Sequence, residues 1–597
     1  MNDLFDLRVV IRFLAKKCVC GLQEGKKSNE RRPPTIGQQA LAYMPGSRIR
    51  LRTPRRERRN DSIWKNLFDS ISRLGQGIYG SLERQGLLSF AINGDITIVP
   101  SSSATMKSAQ LRWFQKVLDF RNELNRMVDA SEFGFRSLAV SPIRKSEKED
   151  RIIAKFTDLH EAALLACLAK YLTANFDPFL RDSACAFRAG GRGGFNSAAE
   201  QIRDFRIRYN TTPLYVAECD LKKFYDTVNH DILKEAFRHF SALARNAGKP
   251  IDHRAGKLLN AYLDCYSFKR SVLEATDERM QKAIKGNRIP WVSDEELKSV
   301  YSNQEVPFDK IGIPQGGAIS PLLANIMLHS VDNSVLQEGG RDISQDKDFL
   351  YTRFCDDMVI ISSDRNKCDA AFNRYCHDSA RLKLLMHNPK TTHLKYDADW
   401  WNGKTRCTYE WSREIIPWVG FVGYQIRHDG ELRLRKQTFD RINERLKSEI
   451  GGAICEITEI ANEQTEECGT RWEEILDVKN RTIAHVTKRL TGKSHLRFRN
   501  GNRTRQYCWA DAFTLLASSF DKSDVSRRQI GEFDRMRNDW LNWFCRKVDS
   551  LLPEKLRQPH IYFGRPFSIF DAFSAVRNSF RNVKNHDREY SERGLVY

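Results

Sequence analysis

At 597 residues, 41% hydrophobic and 29% charged, the chain is long enough for several domains, each with its own core. Lys and Arg outnumber Asp and Glu by 97 to 76, giving a net charge of +21 and a pI near 9.4. That balance suits a polyanionic partner and argues against a specialist for acidic proteins or small molecules. No apolar run approaches about 18 residues, so no membrane span is expected. The 14 Cys are scattered without paired CxxC motifs, and Cys18-Val19-Cys20 lacks a complementary His or Cys cluster. With no signal peptide, they read as reduced thiols of a cytoplasmic protein rather than zinc ligands.

Residues 1–130 read as a basic N-terminal extension. Leu4 to Leu22 resembles an amphipathic helix more than an export signal. A Lys/Gly/Ser/Pro-rich linker follows around 23–47, then a tract from Arg48 to Arg59 with seven Arg and one Glu, then helical pieces from Ile63 and Leu111. Such a tract is usually a solvated tail; with a polyanionic partner its Arg48, Arg50, Arg55 and Arg56 are candidates to grip phosphates. Arg144, Lys145 and Arg151 lie in a short polar, hairpin-like stretch.

An apolar strand, Leu214-Tyr215-Val216-Ala217-Glu218-Cys219, ends on Asp220 and leads through Phe224-Tyr225-Asp226 into a turn and helix. Residues 267–310 look like an insertion. Next comes Gly312-Ile313-Pro314-Gln315-Gly316-Gly317, a glycine-rich loop before a helix that Ser320 could cap and Pro321 could open. Then Arg353-Phe354-Cys355-Asp356-Asp357 places adjacent carboxylates before the apolar run Met358-Val359-Ile360-Ile361. On a regular strand neighbouring side chains diverge, so two adjacent acids reach one site only from a tight hairpin.

From Arg435 the pattern is mostly helical, with Phe439, Ile442 and Leu446 at spacings of three and four. An acidic stretch, 456–474, precedes a second basic run from Lys488 to Arg505, with seven Lys or Arg and no acid. Lys488, Arg489, Arg497 and Arg499 there are nucleic-acid candidates, and Phe498 adds a ring that could stack. The tail is rich in aromatics, and Asp539-Trp540-Leu541-Asn542-Trp543-Phe544 fits a buried helix face.

In this order the segments resemble a reverse transcriptase, most closely the bacterial lineage that includes group II intron proteins. Asp220 matches motif A, Gln315-Gly316 motif B, Asp356-Asp357 motif C, His387-Asn388-Pro389-Lys390-Thr391 motif D and Gly420-Phe421-Val422-Gly423-Tyr424 the motif E primer grip. Residues 144–151 and Ala186-Phe187-Arg188-Ala189-Gly190 resemble the fingers blocks. The resemblance covers roughly 135–440 and implies an α/β, right-hand polymerase: fingers, ferredoxin-like palm and helical thumb, with an N-terminal extension and a mostly α-helical C-terminal region. Expected bounds are 1–130 for the extension, 131–434 for fingers and palm, 435–507 for the thumb and 508–597 for the C-terminal region.

Nucleotidyl transfer of this kind uses two divalent cations about 3.5–4 Å apart, with hard oxygen ligands. The resemblance implies that Asp220, Leu221, Asp356 and Asp357 hold two Mg²⁺, with Mn²⁺ a substitute. It also implies that Arg144, Lys145, Arg151 and Lys390 meet the triphosphate of a dNTP, and that Tyr225 screens the sugar. Gln315 and Gly316 shape the nascent pair, Phe421, Val422, Gly423 and Tyr424 position the primer end, and Arg188 meets nucleic acid. The long extension, the insertion and a tail without nuclease motifs are most similar to defence-associated, abortive-infection-like bacterial enzymes, which imply an RNA template, a noncoding RNA and antiviral defence. Alternatives are a maturase or RNA-binding scaffold lacking an endonuclease, and template-independent or protein-primed synthesis. A homo-oligomer or a partner protein stays open.

Overall fold

The computed structural model describes residues 3–6, 9–10, 13–14, 118–144, 149–189, 193–302, 304–391, 398–462, 471–491, 498–499, 502–503, 515–516, 519 and 523–557. Its main elements begin with β1 (Leu138–Arg144), β2 (Asp150–Phe156), α1 (Leu159–Phe176), α2 (Phe195–Arg208), β3 (Leu214–Cys219), α3 (His230–Asn246) and α4 (His253–Asp264). Then come α5 (Glu278–Lys285), α6 (Asp294–Val300), α7 (Ser320–Val335), β4 (Phe349–Phe354), β5 (Asp357–Ser362) and α8 (Arg365–Arg381). The chain continues through β6 (Arg406–Trp411), β7 (Trp418–Phe421), β8 (Tyr424–Arg427), β9 (Leu432–Leu434), α9 (Lys436–Asn462), α10 (Arg471–Thr491) and α11 (Asp524–Leu551). The mixed helix and sheet content makes the fold α/β, as expected.

The described residues form two compact units. One lies within Met1–Gly194, Ala217–Thr391 and Asp399–Thr408; the other lies within Phe195–Val216, Thr392–Ala398 and Tyr409–Tyr597.

The first unit is organised by a four-stranded sheet in the order β4-β5-β3-β6. Met358, Val359, Ile360 and Ile361 of β5 are all buried, as a strand covered on both faces requires. Helix α8 packs on β5 and α7 packs on α8. Nearly every residue of α7 from Leu322 to Leu328 is buried, so this helix is apolar all round rather than amphipathic. The insertion folds as α5 and α6. Met280 and Ala283 of α5 join Tyr266, Phe268 and Val272 in a cluster with Ile152 of β2, and Trp291 stacks on Phe268 at 4.2 Å. It thereby backs the β1–β2 hairpin, whose residue Asp150 also takes the Arg288 guanidinium at 2.8 Å. At the N-terminus residues 9–10 and 13–14 are helical, and Val10 and Leu14 are buried, as the apolar side of an amphipathic helix should be.

One local expectation fails. Ser320 does not cap α7: it is already helical, Ile319 holds the cap position, and the Ser320 hydroxyl donates instead to the Pro314 carbonyl at 2.6 Å. The Tyr262 hydroxyl lies 2.8 Å from Ser320 Oγ. Ser320 therefore closes the glycine loop, while Pro321 opens the helix as expected.

The second unit pairs a three-stranded antiparallel sheet, order β9-β8-β7, with helices α2, α9, α10 and α11. Val419, Phe421, Tyr424, Ile426, Leu432 and Leu434 point into the core, alternating with half-buried residues. The outer edge of β9 is covered by α11: Gln529 exchanges two hydrogen bonds with the Leu434 backbone, and the Ser526 hydroxyl donates to the Leu432 carbonyl. Helix α9 buries Ile442, Leu446, Ile450, Ala453 and Ile457, so its expected spacing holds. In α11 Leu541 and Phe544 are buried, whereas Trp543 is 38% exposed and departs from the expected buried face.

Candidate active site

The acid pair sits on a two-residue turn. Phe354 pairs with Asp357, leaving Cys355 and Asp356 as the loop between β4 and β5. Cys355 adopts φ 58°, the left-handed conformation that a tight hairpin demands at this position and that usually selects glycine. Asp356 is half-buried in the turn and Asp357 exposed at the first position of β5, so the turn releases both from strict alternation. What holds this turn is Arg353. It is fully buried and pairs with the equally buried Asp332 of α7 at 2.6 Å, while its other nitrogen donates to the Cys355 carbonyl and to Asn325 Oδ1, each at 3.1 Å. The Tyr351 hydroxyl also donates to Asp332, at 2.8 Å. An ion pair satisfied this fully costs about 3–5 kcal/mol to break by removing one partner.

Asp220, the residue after β3, is fastened through its backbone. Its N–H donates to Thr405 Oγ1 at 3.2 Å, the Thr405 hydroxyl donates to the Asp220 carbonyl at 3.1 Å, and His387 N–H reaches that carbonyl at 3.3 Å. Leu221 bridges to Met386, which zips this segment to the stretch that resembles motif D. Around the Asp220 carboxylate stand Lys404 Nζ at 3.1 Å and His387 Nε2 at 3.6 Å. Burial, and then the charge of Asp220, push the Asp356 carboxyl up to about 6, against the smaller pull of Lys404 and Arg151. Two neighbouring carboxylates are hard oxygen donors of the kind a divalent cation takes. Among the described residues, no three His, Cys, Asp or Glu side chains already converge to coordination distance.

The neighbouring side chains divide as their adjacency implies. Phe224 is buried and Tyr225 half-buried, with the rings edge to face at 5.3 Å. Burial, then Cys355 and Asp356, hold the Tyr225 phenol above its usual range, which places it beside the acid turn. Gln315 is a cross-link: its side-chain amide donates to Asp226 at 2.9 Å and its carbonyl accepts from Ala154 N–H of β2 at 2.9 Å. Asp226 is buried, and that burial pushes its carboxyl up to about 6. Gly316 is exposed at φ 90°, where a Cβ would stand 3.2 Å from Ile153, so only glycine lets the loop pass β2 this closely without strain.

Among the cations, Arg151 is exposed on β2 and its charge reaches Tyr225, Asp226 and Asp356. Arg144 lies 3.2 Å from Asp150, and Lys145 is outside the described residues. Lys390 is half-buried, its backbone paired with β6 through Thr405 and Cys407. Arg188 is placed otherwise than as a nucleic-acid contact. Its side chain is 3% exposed, pairs with buried Asp177 at 2.8 Å, and donates to the carbonyls of Arg181, Ala184, Asp177 and Leu180. It has no face left for a ligand and instead braces its own loop.

The four primer-grip candidates belong to the second unit. Phe421 and Tyr424 are buried, and the Tyr424 hydroxyl donates to Asn196 at 2.6 Å, so their side chains build core. Between them Val422 and Gly423 take φ 42° and 90°, the doubly left-handed pattern of a tight hairpin, and present backbone. Arg48, Arg50, Arg55, Arg56 and Arg497 lie outside the described residues. Lys488 and Arg489 are in α10 and Arg499 is in a two-residue strand, with their side chains likewise outside.

Sequence reading missed Lys404 and Thr405, which stand 184 and 185 residues after Asp220 with no spacing to announce them, and the Arg353–Asp332 pair. An arginine three residues before a doubled acid, at the end of an apolar strand, was the available signal for the last.

The reverse transcriptase (RNA-dependent DNA polymerase) family model matches residues 162–422, a span that contains all three acids and the glycine loop. Those residues are a reverse transcriptase domain. The chain thus carries an RNA-directed DNA polymerase domain. No curated protein matches the sequence. Similar solved structures include apo telomerase from Candida tropicalis (10% identity, TM-score 0.33, 92% of this chain and 95% of that chain). Others are telomerase from the same species with a TWJ fragment of telomeric RNA (12%, 0.32, 82% and 79%) and the corresponding Candida albicans complex (12%, 0.30, 80% and 75%). Scores at this level fall below those of a shared fold, and the polymerase domain is assigned without them. Among the described residues no helix is long and apolar enough to cross a membrane.

Proposed function

We propose that the chain makes cDNA on an RNA template by two-metal nucleotidyl transfer, with Asp220, Asp356 and Asp357 as the acids that hold Mg²⁺. The observation that carries this reading is the placement of Asp220, held at the end of β3 through Thr405, beside the β4–β5 turn that presents Asp356 and Asp357, where burial and then the charge of Asp220 push the Asp356 carboxyl up to about 6. Bound cations would supply a lowered pKa at the primer hydroxyl and charge neutralisation at the leaving diphosphate. The protein's own part is positioning. Thr405 and His387 fix the Asp220 backbone, Arg353 fixes the turn that carries Asp356, and Gln315 ties the glycine loop to Asp226 and β2. Tyr225, half-buried beside the acids, crowds a ribose 2′-hydroxyl, and Arg151 meets the triphosphate of the incoming dNTP.

The template in this reading is a noncoding RNA, and the biological setting is antiphage defence in the cytoplasm. That setting rests on the long basic extension, the α5–α6 insertion and the helical tail. The test is primer extension on an RNA template by the wild-type chain and by Asp356→Asn/Asp357→Asn, with RNA and DNA that copurify from native cells sequenced in parallel. Incorporation lost in the variant with RNA retention intact supports the site. Undiminished synthesis by the variant sinks it.

A further inference from the structure

The outward face of the β7–β8–β9 sheet gathers cations that no motif predicted. Facing away from the core are Trp418 and Gly420 on β7, Gln425 and Arg427 on β8, and Arg433 on β9, with Arg435 just beyond it. Register sets Gly420, Gln425 and Arg433 in one row across the three strands and Trp418 opposite Arg427 in the next. The Arg433 guanidinium lies 3.9 Å from the centroid of the Trp418 ring, and its Nε donates to Gln425 Oε1 at 2.9 Å. Arg435 rests on Gly420 so closely that a Cβ there would stand 2.6 Å from its Nη2.

The three arginines are not electrostatically alike. Arg427 is neutralised by Asp429 at 2.6 Å and Glu431 at 3.1 Å. No carboxylate among the described residues pairs with Arg433 or Arg435. Arg433 is half-buried, and both burial and its neighbour Arg427 make its charge harder to hold. A planar guanidinium stacked on an indole, with part of its fork unspent and no counter-charge, is an arrangement completed by a phosphate.

The geometry points to a phosphate-backbone site on this sheet face, formed by Arg433 and Arg435 and floored by Trp418 and Gly420, that grips the nucleic-acid duplex of the polymerase independently of its sequence. It lies on the face opposite the buried Phe421 and Tyr424, so the turn at 422–423 is not part of it. The inference rests on the polymerase reading above.

The experiment measures binding of a labelled RNA/DNA hybrid by the full chain across a salt series, for wild type, Arg433→Gln/Arg435→Gln and Arg433→Lys/Arg435→Lys. Arg535→Gln/Lys547→Gln, on the exposed side of α11, is the control for bulk charge loss. With two phosphate contacts removed, the slope of log K against log salt should shrink by about 1.8 and low-salt affinity should fall about tenfold. The lysine pair should keep the slope, and the α11 pair should match wild type. A Gln pair with wild-type slope and affinity, or an α11 pair that loses as much, overturns the site. Arginine modification by phenylglyoxal on the wild-type chain gives a readout that no folding defect can confuse: the hybrid should protect Arg433 and Arg435, and equal labelling with and without hybrid also overturns it. If the wild-type chain extends primers while these tests fail, this site alone is wrong. If it extends none, the polymerase reading is what fails.

Discussion

The acid turn of the first unit and the cationic sheet face of the second place charge by opposite rules. Asp356 and Asp357 are neighbours in sequence, and a local device, a turn through a left-handed Cys355, lets them serve one site. Arg433 and Arg435 gain their meaning only from register, which lays one against Trp418 and the other against Gly420 of another strand. The acid turn then needs restraint from afar, from Asp332 and Asn325 of α7, because like charges held together oppose folding. On the sheet face Arg433 and Arg435 rest instead on Trp418 and Gly420, half-buried and with no carboxylate among the described residues paired to them.

The sharpest break in that comparison is at the acids. Asp356→Asn/Asp357→Asn should drop nucleotide incorporation to background while stability rises. The folded-state pKa of Asp356 stands above its ordinary value of 3.8, so the folded chain binds more protons than the unfolded chain between about 4 and 6, and stability falls as pH rises through that window. A neutral Asn escapes that loss, and a gain of about 1 kcal/mol is expected in denaturant melts without divalent metal. A melt no more stable than wild type would mean that the turn does not strain its charges.

Next in size is the restraint itself. Arg353→Met leaves the buried Asp332 carboxylate without a counter-charge, held only by the Tyr351 hydroxyl, and should cost about 3–5 kcal/mol, whereas Arg353→Met/Asp332→Leu should recover much of that stability. Catalysis should stay low in the double variant, because the hydrogen bond from Arg353 to the Cys355 carbonyl is still missing. Recovery of full activity with stability would reduce the pair to a core ornament. A smaller effect is expected at Gly317, where a Cβ would stand 2.1 Å from the buried Tyr262 hydroxyl. Gly317→Ala should destabilise by about 1–3 kcal/mol, and equilibrium unfolding reads it directly.

Much of the first unit was legible because its signals are local. Strand, acid, glycine loop, helix and doubled acid occur in an order that the structure keeps, and of the adjacent Phe224 and Tyr225 the first is buried and the second half-buried. The failures are those where a side chain had two uses and the sequence shows only one. Ser320 has the residue type of a cap but closes a loop, and Arg188 has the charge of a ligand contact but satisfies buried Asp177. Lys404 carries no sequence signal, because its proximity to Asp220 is a product of β6 lying in the same sheet as β3. The cations chosen from composition favoured dense runs, while Arg433 and Arg435 belong to an unremarkable Arg-Leu-Arg whose alternation decides which face they share.

The gentlest test is at Gly420. Replacing Gly420 by Ala puts a methyl where the Arg435 guanidinium now rests and forces only the end of a flexible side chain to move. Gly420 has no positive φ among the described backbone angles, so the substitution carries no backbone strain and the melt should change by less than about 0.5 kcal/mol. Hybrid affinity should fall about twofold to fourfold, with the salt slope reduced by less than one full contact, because Arg435 is displaced rather than removed. Adding Arg435→Gln to Gly420→Ala should then cost no more than Arg435→Gln alone. Additive losses would show that Gly420 contributes by letting a strand approach its backbone, which would move the site from the arginine pair to the sheet surface itself.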